Sequence, residues 1–203
     1  MAVKKQHLYE PGIYFITFTN YKWLHLFDGT QSYDVVYKWF DWLKRHGHTV
    51  TGYVIMPNHL HVLIAYRKSG KSINTIVGNG KRFMAYDIVE RLKENGCADT
   101  LQILSDGVTA SDRKRGKLHE VFEPSFDIKP CRTYEFIQQK LNYIHLNPVS
   151  KKWNLVPDYL DYLHSSARFY DTGQPGVYSI THCMEIVDRD WYIDDVGETC
   201  SDR

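Results

Sequence analysis

A chain of 203 residues with 43% apolar residues is long enough to bury a core, as one domain or one domain with an appendage. No run approaches the roughly 20 apolar residues a bilayer span needs, and polar residues follow Lys4-Lys5 where a signal peptide would carry its apolar stretch. These features exclude a helical membrane protein from the expectation and favour a cytoplasmic one. The net charge of +1 conceals an asymmetry: 22 Lys and Arg face 14 Asp and Glu through residue 152, and 3 face 10 from there to the end.

A body at net +8 suits a polyanionic partner. The tail at −7 either packs beside that basic surface, competes for it, or stays solvated without a role. Cys97, Cys131, Cys183 and Cys200 are scattered with no C-x-x-C pair, which fits a reducing compartment and argues against a cysteine-built zinc site.

Residues 1–10 read as a loose lead-in. Residues 12–19, dense in aromatic and β-branched side chains, predict a strand. A loop over 20–32 follows. Val35, Val36, Trp39, Phe40 and Leu43 then recur at helical spacing over 34–45, and Gly47 is a natural stop. Residues 49–56 and 59–66 predict two strands, joined into a hairpin by Pro57-Asn58.

Residues 67–70 form a loop. Ile73, Ile76, Val77, Phe83, Met84, Ile88, Val89 and Leu92 predict a helix over 72–92, in which Gly78 and Gly80 mark a kink or a close approach to another backbone. Residues 95–116 are polar, and 113–117 make a basic loop. A fourth strand is expected over 118–126, with Pro124 suggesting an edge. Residues 133–146 give the third helix, with Phe136, Ile137, Leu141 and Ile144 inward. Pro148 limits it, because a residue before proline is biased out of the helical region. Beyond Lys151-Lys152 come turns, a short helix reaching Tyr170, and one more strand or helix over 177–188.

Strand, helix, strand, strand, helix, strand is the order of a ferredoxin-like α+β sandwich. One antiparallel sheet would carry helices on one face, and the helix at 133–146 would cross the other.

The run of residues 54–66, VIMPNHLHVLIAY, is the chemically suggestive stretch. His59 and His61 sit at i and i+2 of a strand, so both rings share a face. Such a pair either holds one divalent cation or is two satisfied polar residues on a half-exposed sheet. On the helix at 133–146, Gln139, Tyr143 and Asn147 recur every four residues and form one stripe. Asn147 offers a carbonyl oxygen suited to a hard cation, at the helix end where the dipole favours positive charge. His145 must point elsewhere. A second pair, His46-Gly-His48, flanks a helix stop and reads as surface or loop.

Met56-Pro-Asn-His-Leu-His-Val and Tyr143-Ile-His-Leu-Asn-Pro-Val149, in this order, resemble the single-tyrosine HUH transposases of the IS200-like and REP-associated group. The resemblance runs from about residue 10 to 172 and makes that stretch one nuclease domain, with 173–203 an acidic appendage of unassigned role. It implies that Tyr143 is the nucleophile and that His59, His61 and Asn147 bind Mg²⁺ or Mn²⁺. It also implies that the substrate is a single-stranded DNA hairpin cleaved through a 5′-phosphotyrosine, leaving a free 3′-OH. Lys81-Arg-Phe83 matches a basic pair on the second helix, and Ser165-Ser-Ala167 with Tyr170 matches a segment after the catalytic helix. Both monomers and homodimers occur among such enzymes, and this chain reads as the monomer.

Lys140 and Gln139 are candidates for positioning the phosphate. Lys81, Arg82, Arg113, Lys114, Arg115, Lys117, Lys151 and Lys152 are candidates for the DNA backbone, and Tyr21, Trp23 and Trp153 for stacking bases. A tyrosine hydroxyl ordinarily ionises near pH ~10, so nucleophilic attack needs electrostatic help, and no base stands out. Two other classes compete: a hairpin-binding protein with no chemistry, and a small metallohydrolase using an activated water.

Overall fold

The computed structural model describes residues 10–67 and 70–187. The lead-in over 1–9, Lys68-Ser69, and the chain from Asp188 onward, Cys200 included, lie outside the described residues.

The strands are β1 (Gly12–Thr19), β2 (Thr49–Met56), β3 (His59–Tyr66) and β4 (Asp127–Cys131). The helices are α1 (Leu26–Gly29), α2 (Tyr33–Arg45), α3 (Ile73–Glu94), α4 (Ala98–Asp106), α5 (Ala110–Lys114), α6 (Tyr134–Leu146), α7 (Ala167–Thr172) and α8 (Cys183–Val187). The sheet is antiparallel in the order β2-β3-β1-β4, the ferredoxin-like arrangement. A structure of the α+β class follows, with both sheet faces covered.

Every residue of β3 is buried, because this central strand serves two cores. Leu60, Val62, Ile64 and Tyr66 point into the core capped by α2 and α3. Leu63 and Ala65 point into the other, beneath α6 and α8, so His59 and His61 lie on the α6 face by the period-two alternation of a strand. Ile137, Leu141 and Ile144 of α6 are buried against this second face, and the Thr133 hydroxyl caps the helix by accepting from Phe136 N at 3.2 Å.

The hairpin turn Pro57-Asn58 has no residue in the left-handed region, unlike the turns two-residue hairpins usually favour. It is held from outside: Phe27 N donates to Pro57 O at 3.1 Å and Asn20 N to Asn58 O at 2.8 Å.

Five expectations need correction. The fourth strand is Asp127–Cys131, not 118–126. The earlier stretch is extended and buries Val121 and Phe122, but pairs only through the bridge Asn20↔Phe122. The polar region 95–116 contains α4 and α5, and the loop over 20–32 contains a 3-10 turn (Tyr21–Trp23) and α1. Gly80 approaches the side chain of Trp39, whose indole would lie 2.5 Å from an added Cβ, whereas Gly78 faces open space. His48 is buried, stacked on Tyr66 at 5.1 Å with Nδ1 accepting from Arg67 N at 3.2 Å, so only His46 of that pair is a surface residue.

The serines at 165–166 belong to a stitch along the β2 edge. Ile55 N donates to His164 O at 2.8 Å and Ser166 N to Tyr53 O at 2.9 Å, and Val54 bridges Ser165. The Ser166 hydroxyl accepts from Tyr53 N and from His145 Nε2, each at 2.9 Å. His145 therefore faces away from the site, and burial pushes its pKa down to about 4. The chain does not leave the domain at residue 172. Tyr178 stacks on Tyr37 at 5.5 Å, Thr181 N donates to Val50 O at 3.3 Å, and Cys183 and Ile186 are buried in the α6-side core. Among the described residues Cys97 and Cys183 are free thiols, and no helix is long and apolar enough to cross a membrane.

Candidate active site

Strand register assembles the floor of the site. Thr17 of β1 lies opposite His61 of β3 on one side and Asp127 of β4 on the other, while Thr19 lies opposite His59. One row of the sheet thus reads His61, Thr17, Asp127. These residues, with Lys129, line a cavity of about 810 Å³ whose far wall is α6 with Lys140, Asn142, Tyr143 and Asn147. Trp23, Lys152 and Trp153 line it as well.

The two imidazoles lie 4.7 Å apart between ring centres at an interplanar angle of 80°. Each is fixed through Nδ1. His59 Nδ1 lies 2.7 Å from Asn58 Oδ1; that oxygen only accepts, so Nδ1 carries the proton and Nε2 keeps its lone pair. His61 Nδ1 lies 2.7 Å from the Thr17 hydroxyl, and the ring stacks on Phe15 at 5.6 Å. Its Nε2 is buried and finds no hydrogen-bond partner among the described residues. Burial, reinforced by Lys152, lowers the His59 pKa to about 4. Burial, then His59 and Lys140, holds His61 well below the usual imidazole range. Both rings are thus neutral at physiological pH, the form that ligates a metal. A buried ring nitrogen left without a partner is costly unless something binds it, so the residues present fit a cation held at this pair.

Tyr143 stands over His61 with ring centres 5.1 Å apart and meets Phe15 edge-on at 6.2 Å. The helix end explains why Asn147 joins it. Against the usual bias before proline, Asn147 keeps helical dihedrals (φ −57°, ψ −45°), so its side chain stays one turn beyond Tyr143 on the same stripe. Among the described residues no group of three His, Cys, Asp or Glu could hold a metal.

The basic candidates divide sharply. Lys140 lines the cavity with its ammonium over Phe136 (4.8 Å) and Phe15 (5.1 Å), and Lys152 lies over Trp23 (4.3 Å) and Trp153 (5.2 Å). Gln139 does not line it. Lys81 is turned to the opposite core, where Nζ donates to Glu123 O at 2.8 Å and lies 5.1 Å from the Phe126 ring centre. Arg113 donates to Ser105 O at 2.6 Å, Arg115 pairs with Asp112 and Lys117 with Glu120. None of these, nor Arg82, Lys114 or Lys151, lines the cavity. Sequence reasoning missed Lys129 and Asp127, because both sit on the strand placed wrongly.

A ferredoxin-like sheet with paired imidazoles on its central strand and a tyrosine over them from a crossing helix defines the class of this fold and site. The chain shares its fold with a solved REP-associated tyrosine transposase bound to a REP hairpin, at TM-score 0.60 and 17% identity over 89% of this chain and 93% of that one. No family profile and no curated protein matches the sequence.

Proposed function

We propose that the chain is a metal-dependent endonuclease and strand transferase for single-stranded hairpin DNA, acting through a 5′-phosphotyrosine. The observation that carries this is the half-exposed Tyr143 (52% accessible) beside an imidazole whose buried Nε2 has no partner among the described residues. A tyrosine kept for packing would be buried. The hairpin in the transposase structure sharing this fold supports the same substrate class.

His59, His61 and Asn147 would hold Mg²⁺ or Mn²⁺; the chemistry supplied there is neutralisation of the non-bridging phosphate oxygens. Lys140, Lys152 and Lys129 draw the phosphodiester into the cavity, where Asp127 is the lone carboxylate among the described residues. Tyr143 Oη attacks phosphorus, forming the O–P bond as the bond to the 3′-oxygen breaks. The phenolic proton leaves to solvent, and the departing oxygen takes one up to become a 3′-OH. The phosphodiester energy is kept in the protein–DNA link, so a 3′-OH from another strand can reverse the step and join DNA without a nucleotide cofactor.

The test uses a 3′-labelled hairpin oligonucleotide drawn from inverted repeats flanking the gene, with Mn²⁺. A labelled protein band should survive denaturation, vanish in Tyr143→Phe, and leave hairpin binding by gel shift unchanged. Binding without any adduct would favour the silent hairpin binder. Turnover to a free 5′-phosphate that survives in Tyr143→Phe would favour the metallohydrolase.

A further inference from the structure

Two consecutive residues beside the site, Lys22 and Trp23, adopt the left-handed conformation (φ 51° and 59°) that side chains other than glycine rarely take. Strain of this kind persists only where its surroundings enforce it. Here Lys22 N donates to Glu123 Oε1 at 2.8 Å, and Asn58 Nδ2 donates to Trp23 O at 2.9 Å. The result is an indole held half in water (51% accessible) at the mouth of the cavity, 6.0 Å from His59. Packing does not require it. Trp153, on the segment after α6, lies 5.3 Å from the same imidazole. The Lys152 ammonium lies over both indoles, at 4.3 and 5.2 Å. One amide, that of Asn58, therefore ties the strained aromatic to the ring of His59.

We infer that Trp23 and Trp153 form a stacking subsite for the unpaired base next to the phosphate held at the histidine pair. The Lys152 ammonium occupies this subsite in the free protein and moves to the DNA backbone when the base enters. Flat aromatic faces beside a cation accept any unpaired base, because every base has a π-face and every nucleotide a phosphate. The subsite thus grips without reading sequence, and the Asn58 amide places it at a set distance from the cleavage centre. This inference rests on the single-stranded DNA substrate proposed above.

The probe is a thymidine decamer compared with an abasic decamer of equal length and charge, titrated into the full chain while tryptophan fluorescence is followed. The thymidine strand is expected to bind roughly tenfold or more tightly and to quench the emission. Trp23→Ala should bring its affinity down to that of the abasic strand, Trp23→Phe should keep most of the difference, and Mn²⁺ affinity should be unchanged in both. Equal binding of the two strands by the wild type, or a Trp23→Ala protein that still prefers bases, overturns the subsite. Base-dependent quenching with no covalent adduct in the hairpin assay would keep the subsite and refute the nuclease.

Discussion

The Thr17 hydroxyl stands 2.7 Å from Nδ1 of His61, a contact created wholly by the pairing of β1 with β3, 44 residues apart in sequence. It occupies the outer nitrogen and leaves Nε2 to the cavity. Thr17→Val removes that partner at nearly constant volume, and Mn²⁺ affinity is expected to fall about 10- to 100-fold. Calorimetric titration checks it; unchanged affinity would mean that the stack on Phe15 alone orients the ring.

Asn147 is expected to behave as a ligand and not merely as a helix end. Asn147→Ala should weaken Mn²⁺ binding tenfold or more, while Asn147→Asp, which keeps an oxygen donor, should bind at least as tightly as wild type. Both should unfold within about 1 kcal/mol of wild type, since the cap bond at this helix end is donated by the Asn147 backbone N–H, to Ile144 O. Equal Mn²⁺ affinity of all three proteins would remove Asn147 from the ligand set.

The two glycines of α3 should respond with opposite signs. Gly78→Ala meets no atom within 4 Å and should stabilise the helix by up to about 1 kcal/mol. Gly80→Ala pushes a methyl against the Trp39 indole at 2.5 Å and should cost about 1–3 kcal/mol. Urea denaturation of the pair separates the effects. A Gly80→Ala protein as stable as wild type would show that Trp39 can yield.

Burial depresses the His164 pKa to about 4; the ring stacks on Tyr33 at 3.7 Å and Nδ1 lies 2.9 Å from the Tyr37 hydroxyl. The unfolded chain, with an ordinary histidine near pH ~6.5, binds the extra proton first as pH falls. Stability is therefore full above about pH 6.5 and drops toward pH 4 with a slope of about 1.4 kcal/mol per pH unit from this group. In chelator, His164→Asn should be less stable at neutral pH and show a shallower acid slope by that amount. Parallel slopes for the two proteins would refute the assignment.

What the sequence revealed depended on how local the cause was. β1, α2, β2, β3, α3 and α6 each carry a clean period of two or of three to four, and the structure bounds them within a few residues of expectation. β4 reads Asp-Ile-Lys-Pro-Cys, with two charged residues turned to the cavity, so it shows no apolar alternation. Leu118, Val121 and Phe122 drew the expected strand to the stretch before it, although Leu118 is mostly exposed. The histidine pair and the tyrosine stripe were visible because each lies within a single element. Thr17, Asp127 and Lys129 reach the site through strand pairing, and the conformation of Trp23 depends on an amide 35 residues away. No local pattern encodes either.

Both rims of the described sheet are guarded. The strip at 164–166 is laid along β2, and β4 at the other rim carries Pro130, which has no N–H to offer a neighbour. A foreign strand would have to displace that strip at one rim or pair around the proline at the other, which disfavours fibril-like stacking and capture of an extended peptide through the sheet. The cleft beneath α6 is the described approach that leads to the phenol of Tyr143.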